Sequence, residues 1–199
     1  MTNAQHSAST GEWYTGGEWS DVVRTALGGI IFLDPCSSAK ANTLVKAVIY
    51  GTEADNLLDR DWRELHEECT TAFVNPPGTC TKVNGLYSVC GNPSKCSCSL
   101  SKKFLRKCIE QAHNGMDIVY LAYSVNQLRQ LANLEIPADV KISIAIPSDR
   151  IPFTSPETMA PVKGTNCDSA FLCIAVDLLV HMRFWDAFEE QGCTVFRSV

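Results

Sequence analysis

Residues 71–78 read Thr71-Ala72-Phe73-Val74-Asn75-Pro76-Pro77-Gly78, a short apolar run closed by two prolines. Neither proline has an N–H for a sheet ladder and each fixes φ, so a strand over this run must stop at Asn75 and leave in a stiff, extended turn. The run is apolar without alternation, as expected for a strand buried on both faces. Strand-sized runs of the same kind occur at Ile30–Leu33, Ala47–Tyr50, Ile118–Tyr123, Ile142–Ile146, Ala170–Val176 and Thr194–Phe196. Helix-like segments lie between them, at Glu18–Leu27, Asp61–Glu68, Leu100–His113, Asn126–Leu134 and Leu178–Glu190. In the third, Phe104, Leu105, Cys108, Ile109 and Ala112 recur at three- and four-residue spacing and make one apolar stripe. This alternation predicts an α/β fold with a mainly parallel, seven-stranded sheet and helices on both faces.

The whole chain has 199 residues, 45% of them hydrophobic and 20% charged, which excludes collagen-like, coiled-coil and wholly disordered classes. The expected organisation is a disordered tail over 1–11 and a single domain over 12–199. Two stretches break the alternation. Residues 78–99 are rich in Gly, Asn, Ser, Lys and Cys and read as a Cys-rich basic loop insertion; Pro147–Asp168 carries Pro152, Pro156 and Pro161. Both are expected to project from the sheet edge that carries function. Met1–Gly11 is polar and lacks the layout of a secretory signal, so a cytoplasmic location with reduced thiols is expected. No membrane span is expected either, because the best apolar run, Ala170–Val180, is short and contains Asp177.

The formal net charge is −5, from 17 Lys and Arg against 22 Asp and Glu, which on its face disfavours a nucleic-acid partner. The distribution argues the other way. No acidic residue lies between Cys69 and Ile109, whereas Lys82, Lys95, Lys102, Lys103, Arg106 and Lys107 all do. This stretch also holds Cys80, Cys90, Cys96 and Cys98 of the ten cysteines. Four thiolates there could bind zinc, but Cys96-x-Cys98 is an unusual spacing and there is no Cys-x-x-Cys pair, so free thiols are the expectation.

The turn after the run at 71–74 also has chemistry to offer. The side-chain oxygen of Asn75 and the carbonyl of Pro76 are two acceptors that suit a planar amino group with two N–H donors. Holding both hydrogens would aim the amine's lone pair at an electrophile. The bare tetrapeptide fits a stiff strand exit equally well. Its surroundings add to it: Trp13-Tyr14-Thr15 comes first, then Phe32-Leu33-Asp34-Pro35-Cys36-Ser37, Asn42, Asp55-Asn56-Leu57-Leu58, Trp62 and Phe73-Val74-Asn75-Pro76-Pro77. That series resembles the phage-type DNA N6-adenine methyltransferase (Dam-like) family from Trp13 to Pro77. Asp149-Arg150-Ile151-Pro152-Phe153 more loosely resembles the family's Arg-Ile-x-Phe element.

The resemblance implies a Rossmann-like methyltransferase fold that uses S-adenosylmethionine to methylate adenine N6 in DNA. It implies that Asn75, Pro76 and Pro77 form the catalytic turn and that Tyr14, Thr15, Asp34, Pro35, Cys36 and Asp55 bind the donor. Asp34 would sit beside the donor's ammonium group and Asp55 would accept from its adenine amine, with Glu53 a second carboxylate that could meet the ribose. Lys82, Tyr87, Lys95, Lys102, Lys103 and Arg150 are the expected DNA contacts, with Arg106 and Lys107 on the same helix. The four histidines, His6, His66, His113 and His181, are given no catalytic role. The family commonly has Tyr or Phe after the second proline to stack on an extruded base, where this chain has Gly78. Tyr87, Tyr123 and Phe153 are candidates to replace it. Two alternatives stay open: a catalytically weak or silent DNA-binding relative with a zinc-ordered loop, and an amino-methyltransferase acting on RNA or on protein glutamine.

Overall fold

The computed structural model describes residues 13–52, 54–77, 82–83, 86–87, 100–162 and 168–197. The expected tail over 1–11 and nearly all of the loop at 78–99 lie outside the described residues. In chain order the elements are β1 (Tyr14–Thr15), α1 (Gly17–Ala26), β2 (Leu33–Asp34), α2 (Ala39–Val45), β3 (Ile49–Tyr50), β4 (Thr71–Val74), β5 (Lys82–Val83), β6 (Leu86–Tyr87), α3 (Leu100–His113), β7 (Asp117–Ala122), β8 (Lys141–Pro147), β9 (Phe153–Thr154), β10 (Pro161–Val162), β11 (Ala170–Ala175), α4 (Leu178–Glu190) and β12 (Cys193–Phe196). Among the described residues, 3-10 segments at Leu57–Asp59, Trp62–Leu65 and Val125–Asn133 lie in the connections. Two of them replace the helices expected near 61–68 and 126–134.

Seven strands form one sheet in the order β12-β8-β11-β7-β4-β2-β3. The expectation of a mainly parallel sheet is corrected: it is mixed. Pairings among β3, β2, β4 and β7 are parallel, and those of β7 with β11, β11 with β8 and β8 with β12 are antiparallel. Strand β11 is buried along its whole length, Ala170 to Ala175. Burial on both faces gives the same continuous apolar run whichever way a strand points, so the sequence pattern does not distinguish the two orientations.

Side chains alternate between the two faces. Phe73, Val119, Leu121, Phe171 and Cys173 meet Trp19 and Val23 of α1 and Phe184 and Phe188 of α4. Ala72, Val74, Ile118, Tyr120 and Leu172 meet Leu105, Cys108 and Ile109 of α3. Helices therefore cover both faces, and the stripe expected on α3 is its buried face. Strand β2 is only two residues long, and Thr71 extends its attachment to β4. The Thr71 hydroxyl accepts from the Phe32 amide at 3.0 Å and donates to the Ile30 carbonyl at 2.9 Å. Among the described residues no helix is long and apolar enough to cross a membrane.

Chain order and sheet order together create a switch point. The chain passes from β2 outward to β3, then returns to the other side of β2 as β4. Connections diverge at that point and leave a crevice beyond the carboxyl ends of β2 and β4, the usual ligand position in an open α/β sheet.

Candidate active site

Asp34 ends β2 and Asn75 follows β4 directly, so these two polar residues flank the switch point. The small sheet β1-β9-β10 adds the next group. Its register pairs Tyr14 with Thr154 and Thr15 with Phe153, which ties the Pro147–Asp168 stretch to the chain start. Asn75 holds β1 in place: its Nδ2 donates to the Trp13 carbonyl and to Thr15 Oγ1, both at 3.2 Å. A carbonyl only accepts, so this contact fixes the orientation of the amide. Oδ1 of Asn75 is thereby turned away from β1, and no donor among the described residues meets it. Ser38 caps α2 by accepting from the Ala41 amide, and its hydroxyl lies 3.4 Å from the Tyr14 hydroxyl. Tyr14, Thr15, Asp34–Ser38 and Asn75–Pro77 thus meet at one edge.

Asp34 is 3% exposed, and its Oδ1 accepts a 3.1 Å hydrogen bond from the Cys36 amide. Burial is the main influence on its carboxyl and pushes its pKa up to about 6, while the Cys36 amide and the nearby Ser37 hydroxyl pull it down. By distance and angle the buried Ser37 hydroxyl makes no ordinary hydrogen bond among the described residues. A carboxylate buried this deeply is costly unless a cation or further donors meet it. The Cys36 side chain packs toward the α3 face, where burial raises its thiol pKa well above the ordinary range. That makes it a poor nucleophile.

The chain after β3 closes against the same loop. The Gly51 amide donates to Asp34 O and the Ser37 amide to Gly51 O, both at 2.8 Å. A Cβ on Gly51 would lie 2.4 Å from Leu57 Cδ1 and 3.2 Å from the Pro35 carbonyl, so only glycine lets the two segments approach. Asp55 follows at the carboxyl end of β3, fully exposed. Its Oδ2 accepts from the Thr52 amide at 2.6 Å and the Thr52 hydroxyl at 2.8 Å, and these bonds hold its carboxyl below the usual range. Glu53 lies outside the described residues. Asn42 and Trp62, two residues of the resemblance, are structural here. Asn42 exchanges two hydrogen bonds with the Ala47 backbone, and buried Trp62 donates to the Leu57 carbonyl at 2.8 Å.

Among the expected DNA contacts, Lys102 and Lys103 lie in the first turn of α3, with Arg106 one turn on. This helix crosses from β4 to β7, so its N-terminal turn sits at the carboxyl edge; the Tyr120 hydroxyl donates to the Ser101 carbonyl there at 3.0 Å. Lys103 and Arg106 are exposed, whereas Lys107 is buried and bridges Glu110 at 2.6 Å, which removes it from any basic surface. Arg150 is half-exposed and pairs with Asp168 at 3.2 Å beside a cavity of roughly 660 Å3. Ile146–Arg150, Asp168 and Ser169 line that cavity. It lies at the end of β8 and the start of β11, on the same sheet edge but several strands from β2, and the conjunction of buried acid, oriented amide and switch point marks the Asp34–Asn75 crevice as the candidate site. Lys82 and Tyr87 belong to the β5–β6 hairpin, whose antiparallel register pairs them with each other. Lys95 and the four proposed zinc ligands, Cys80, Cys90, Cys96 and Cys98, lie outside the described residues, as does Gly78. Of the proposed base platforms, Phe153 is 3% exposed and belongs to the core, and Tyr123 packs against the same cluster.

Two buried polar groups at this edge had no counterpart in the sequence reading. Gln127 is 7% exposed, and among the described residues its Oε1 and Nε2 both lack a partner, as does the buried Gln130 Oε1. The signal was a period of three. Leu128, Leu131 and Leu134 pack on the α3-side core, and Gln127 and Gln130 form the adjacent stripe.

Comparison of the chain with protein-family models, with curated proteins and with solved structures returned no match.

Proposed function

We propose that this chain is an S-adenosylmethionine-dependent amino-methyltransferase with a Rossmann-like fold, transferring a methyl group to adenine N6 in DNA. The observation that carries the reading is the pairing, across one switch point, of a buried carboxylate with an amide whose free oxygen is held in place. A buried acid with one hydrogen bond is the complement of a cationic ligand group, and Asp34 fits the ammonium of an amino-acid-like donor. Tyr14 and Thr15 would hold the same end of the donor, and Asp55 the adenine end with its remaining carboxylate oxygen. When bound, the donor supplies an electrophilic methyl on a sulfonium.

Asn75 and Pro76 contribute alignment. Nδ2 is spent on β1, so Oδ1 is left to accept one amine hydrogen, while the Pro76 carbonyl follows on a backbone stiffened by Pro77. Preorganised acceptors stabilise the charge that builds on the amine nitrogen without reorganising during the reaction. The product nitrogen sheds its extra proton to water, so the chain needs no strong general base. Lys102, Lys103 and Arg106 at the same edge would meet phosphates next to the target base. The DNA substrate rests on the Trp13–Pro77 resemblance; RNA adenine and protein glutamine carry amino groups that the same turn would accept.

The test is incubation with methyl-labelled donor and unmethylated DNA, followed by nucleoside analysis. N6-methyladenine is the expected product. Label found only in RNA or in glutamine would move the substrate, and bound donor with no transfer to any of the three would leave a silent DNA-binding relative.

A further inference from the structure

The segment after β7 leaves the sheet next to the Asn75 turn. Parallel register places Val74, the last residue of β4, opposite Tyr120, so the Asn75 turn begins beside the last two residues of β7, Leu121 and Ala122. The 3-10 segment Val125–Asn133 begins three residues later. Side chains three apart eclipse in such a helix, which sets Gln127 and Gln130 on one stripe beside the leucines that pack on the core. Buried polar atoms in a folded protein nearly always have partners, yet both amide atoms of Gln127 and the oxygen of Gln130 have none among the described residues. Leucine packing holds the backbone of this segment, so the unpaired amides are kept in place by neighbours that gain nothing from them.

We infer that Gln127 is a specificity-determining residue whose carboxamide reads the target base. This rests on the adenine-N6 reading of the same site. If Asn75 and Pro76 take both hydrogens of the amine, what remains of the adenine edge is acceptor only, the ring nitrogens N1 and N7 on either side of the amine carbon. A neutral amide N–H is the complement of such an acceptor. Gln127 Nε2 donates to one of the two, and Gln130 Oε1, on the same stripe, orients the Gln127 amide by accepting its second N–H when the base enters. A site built to make this bond rejects a base that lacks the acceptor, because the buried amide then stays unpaired.

The experiment compares wild type with Gln127→Met on otherwise identical oligonucleotides carrying adenine, 7-deazaadenine or 1-deazaadenine at the methylated position. Wild type is expected to lose at least tenfold in kcat/KM on one of the two analogues. Gln127→Met should be slower on adenine by a similar factor and should treat that analogue and adenine alike, with donor Kd within twofold of wild type. Its melting temperature should equal or exceed that of wild type, since an unpaired amide has been replaced by an apolar chain of similar size. Equal wild-type rates on all three bases, or a Gln127→Met that still discriminates, would overturn the inference while leaving the transfer reading standing. A lowered melting temperature together with unchanged discrimination would assign Gln127 a purely structural role. No methylation of adenine by wild type would instead overturn the function proposed above.

Discussion

A buried polar cluster on the α4 face and another at the carboxyl edge of the sheet are built on opposite principles. On the α4 face, Trp185 Nε1 donates to Ser143 Oγ at 2.9 Å, Ser143 Oγ meets His181 Nδ1 at 2.9 Å, and His181 Nε2 faces the Ala175 carbonyl at 3.3 Å. The carbonyl can only accept, so Nε2 carries the proton and Nδ1 accepts from the Ser143 hydroxyl, leaving the neutral ring fully satisfied. At the carboxyl edge of β2, β4 and β7, by contrast, the Asp34 carboxyl accepts one hydrogen bond, and among the described residues Asn75 Oδ1 has no donor and the Gln127 amide has no partner. A closed network stabilises a core, whereas polar groups left open at a switch point cost stability in the free protein and repay it only when a ligand completes them. Burial alone does not tell the two clusters apart; the unfilled hydrogen-bonding capacity does.

The largest effect is expected from removing the oriented acceptor. Asn75→Ala should lower methyl transfer by on the order of 10²–10³-fold, the size seen when one preorganised transition-state partner is lost. Donor affinity, measured by calorimetry, should fall by far less, because the Asn75 amide reaches the proposed donor residues through its bonds to Trp13 and Thr15. An equal collapse of donor binding would mean that the amide serves the donor pocket rather than the target amine.

Acid–base behaviour separates the clusters by sign. The Asp34 carboxyl titrates at about 6 in the fold against 3.8 when unfolded, so its contribution to stability is present at low pH and is lost as pH rises from about 4 to 6. His181 is pulled below 6.5, mainly by burial, so the folded protein refuses a proton that the unfolded chain takes, and stability is lost as pH falls below that value. In urea unfolding across pH 4–8 the two slopes oppose each other in wild type. Asp34→Asn should raise stability at pH 7–8 by roughly 1–3 kcal/mol and leave the rising His181 slope more visible. Asp117, also raised to about 6, retains part of the falling slope. An Asp34→Asn variant less stable than wild type at pH 7.5 would show that the carboxylate is satisfied after all.

A closed network should be costly to open. Ser143→Ala leaves both Trp185 Nε1 and His181 Nδ1 without their shared partner and should cost about 1–3 kcal/mol in chemical unfolding, with no change in donor affinity. The smallest change belongs to the surface. Replacing Lys102, Lys103 and Arg106 by Gln should leave stability within about 0.5 kcal/mol. It should also flatten the dependence of log DNA affinity on log salt by about 0.9 for each phosphate contact removed.

Much of this architecture was legible in the sequence, for reasons that also mark the limits. Each strand of the large sheet coincides with an apolar run, and α3 and α4 fall at the expected residues because long amphipathic or apolar segments carry strong signals. Strand direction was not legible, since Phe171-Leu172-Cys173-Ile174 is buried on both faces and would read identically in a parallel strand. Helix α2, seven residues capped by Ser38, and the two-residue strands β1, β9 and β10 are too short to leave a periodic pattern; tertiary contacts set them. Asp34 and Asn75 were legible because prolines and strand ends mark their places. Gln127 was not, because nothing in a glutamine's identity says that its partners will be missing.

Thermal unfolding of wild type and Asp34→Asn, each with and without saturating S-adenosylmethionine at pH 7.5, tests the open cluster most directly. A ligand that binds only the folded state raises the melting temperature by an amount that grows with the logarithm of its concentration relative to Kd. The donor should raise the melting temperature of wild type by several degrees and leave that of Asp34→Asn, already higher at rest, nearly unmoved. No shift in wild type, or an equal shift in both proteins, would contradict the assignment of the Asp34–Asn75 crevice as the donor site.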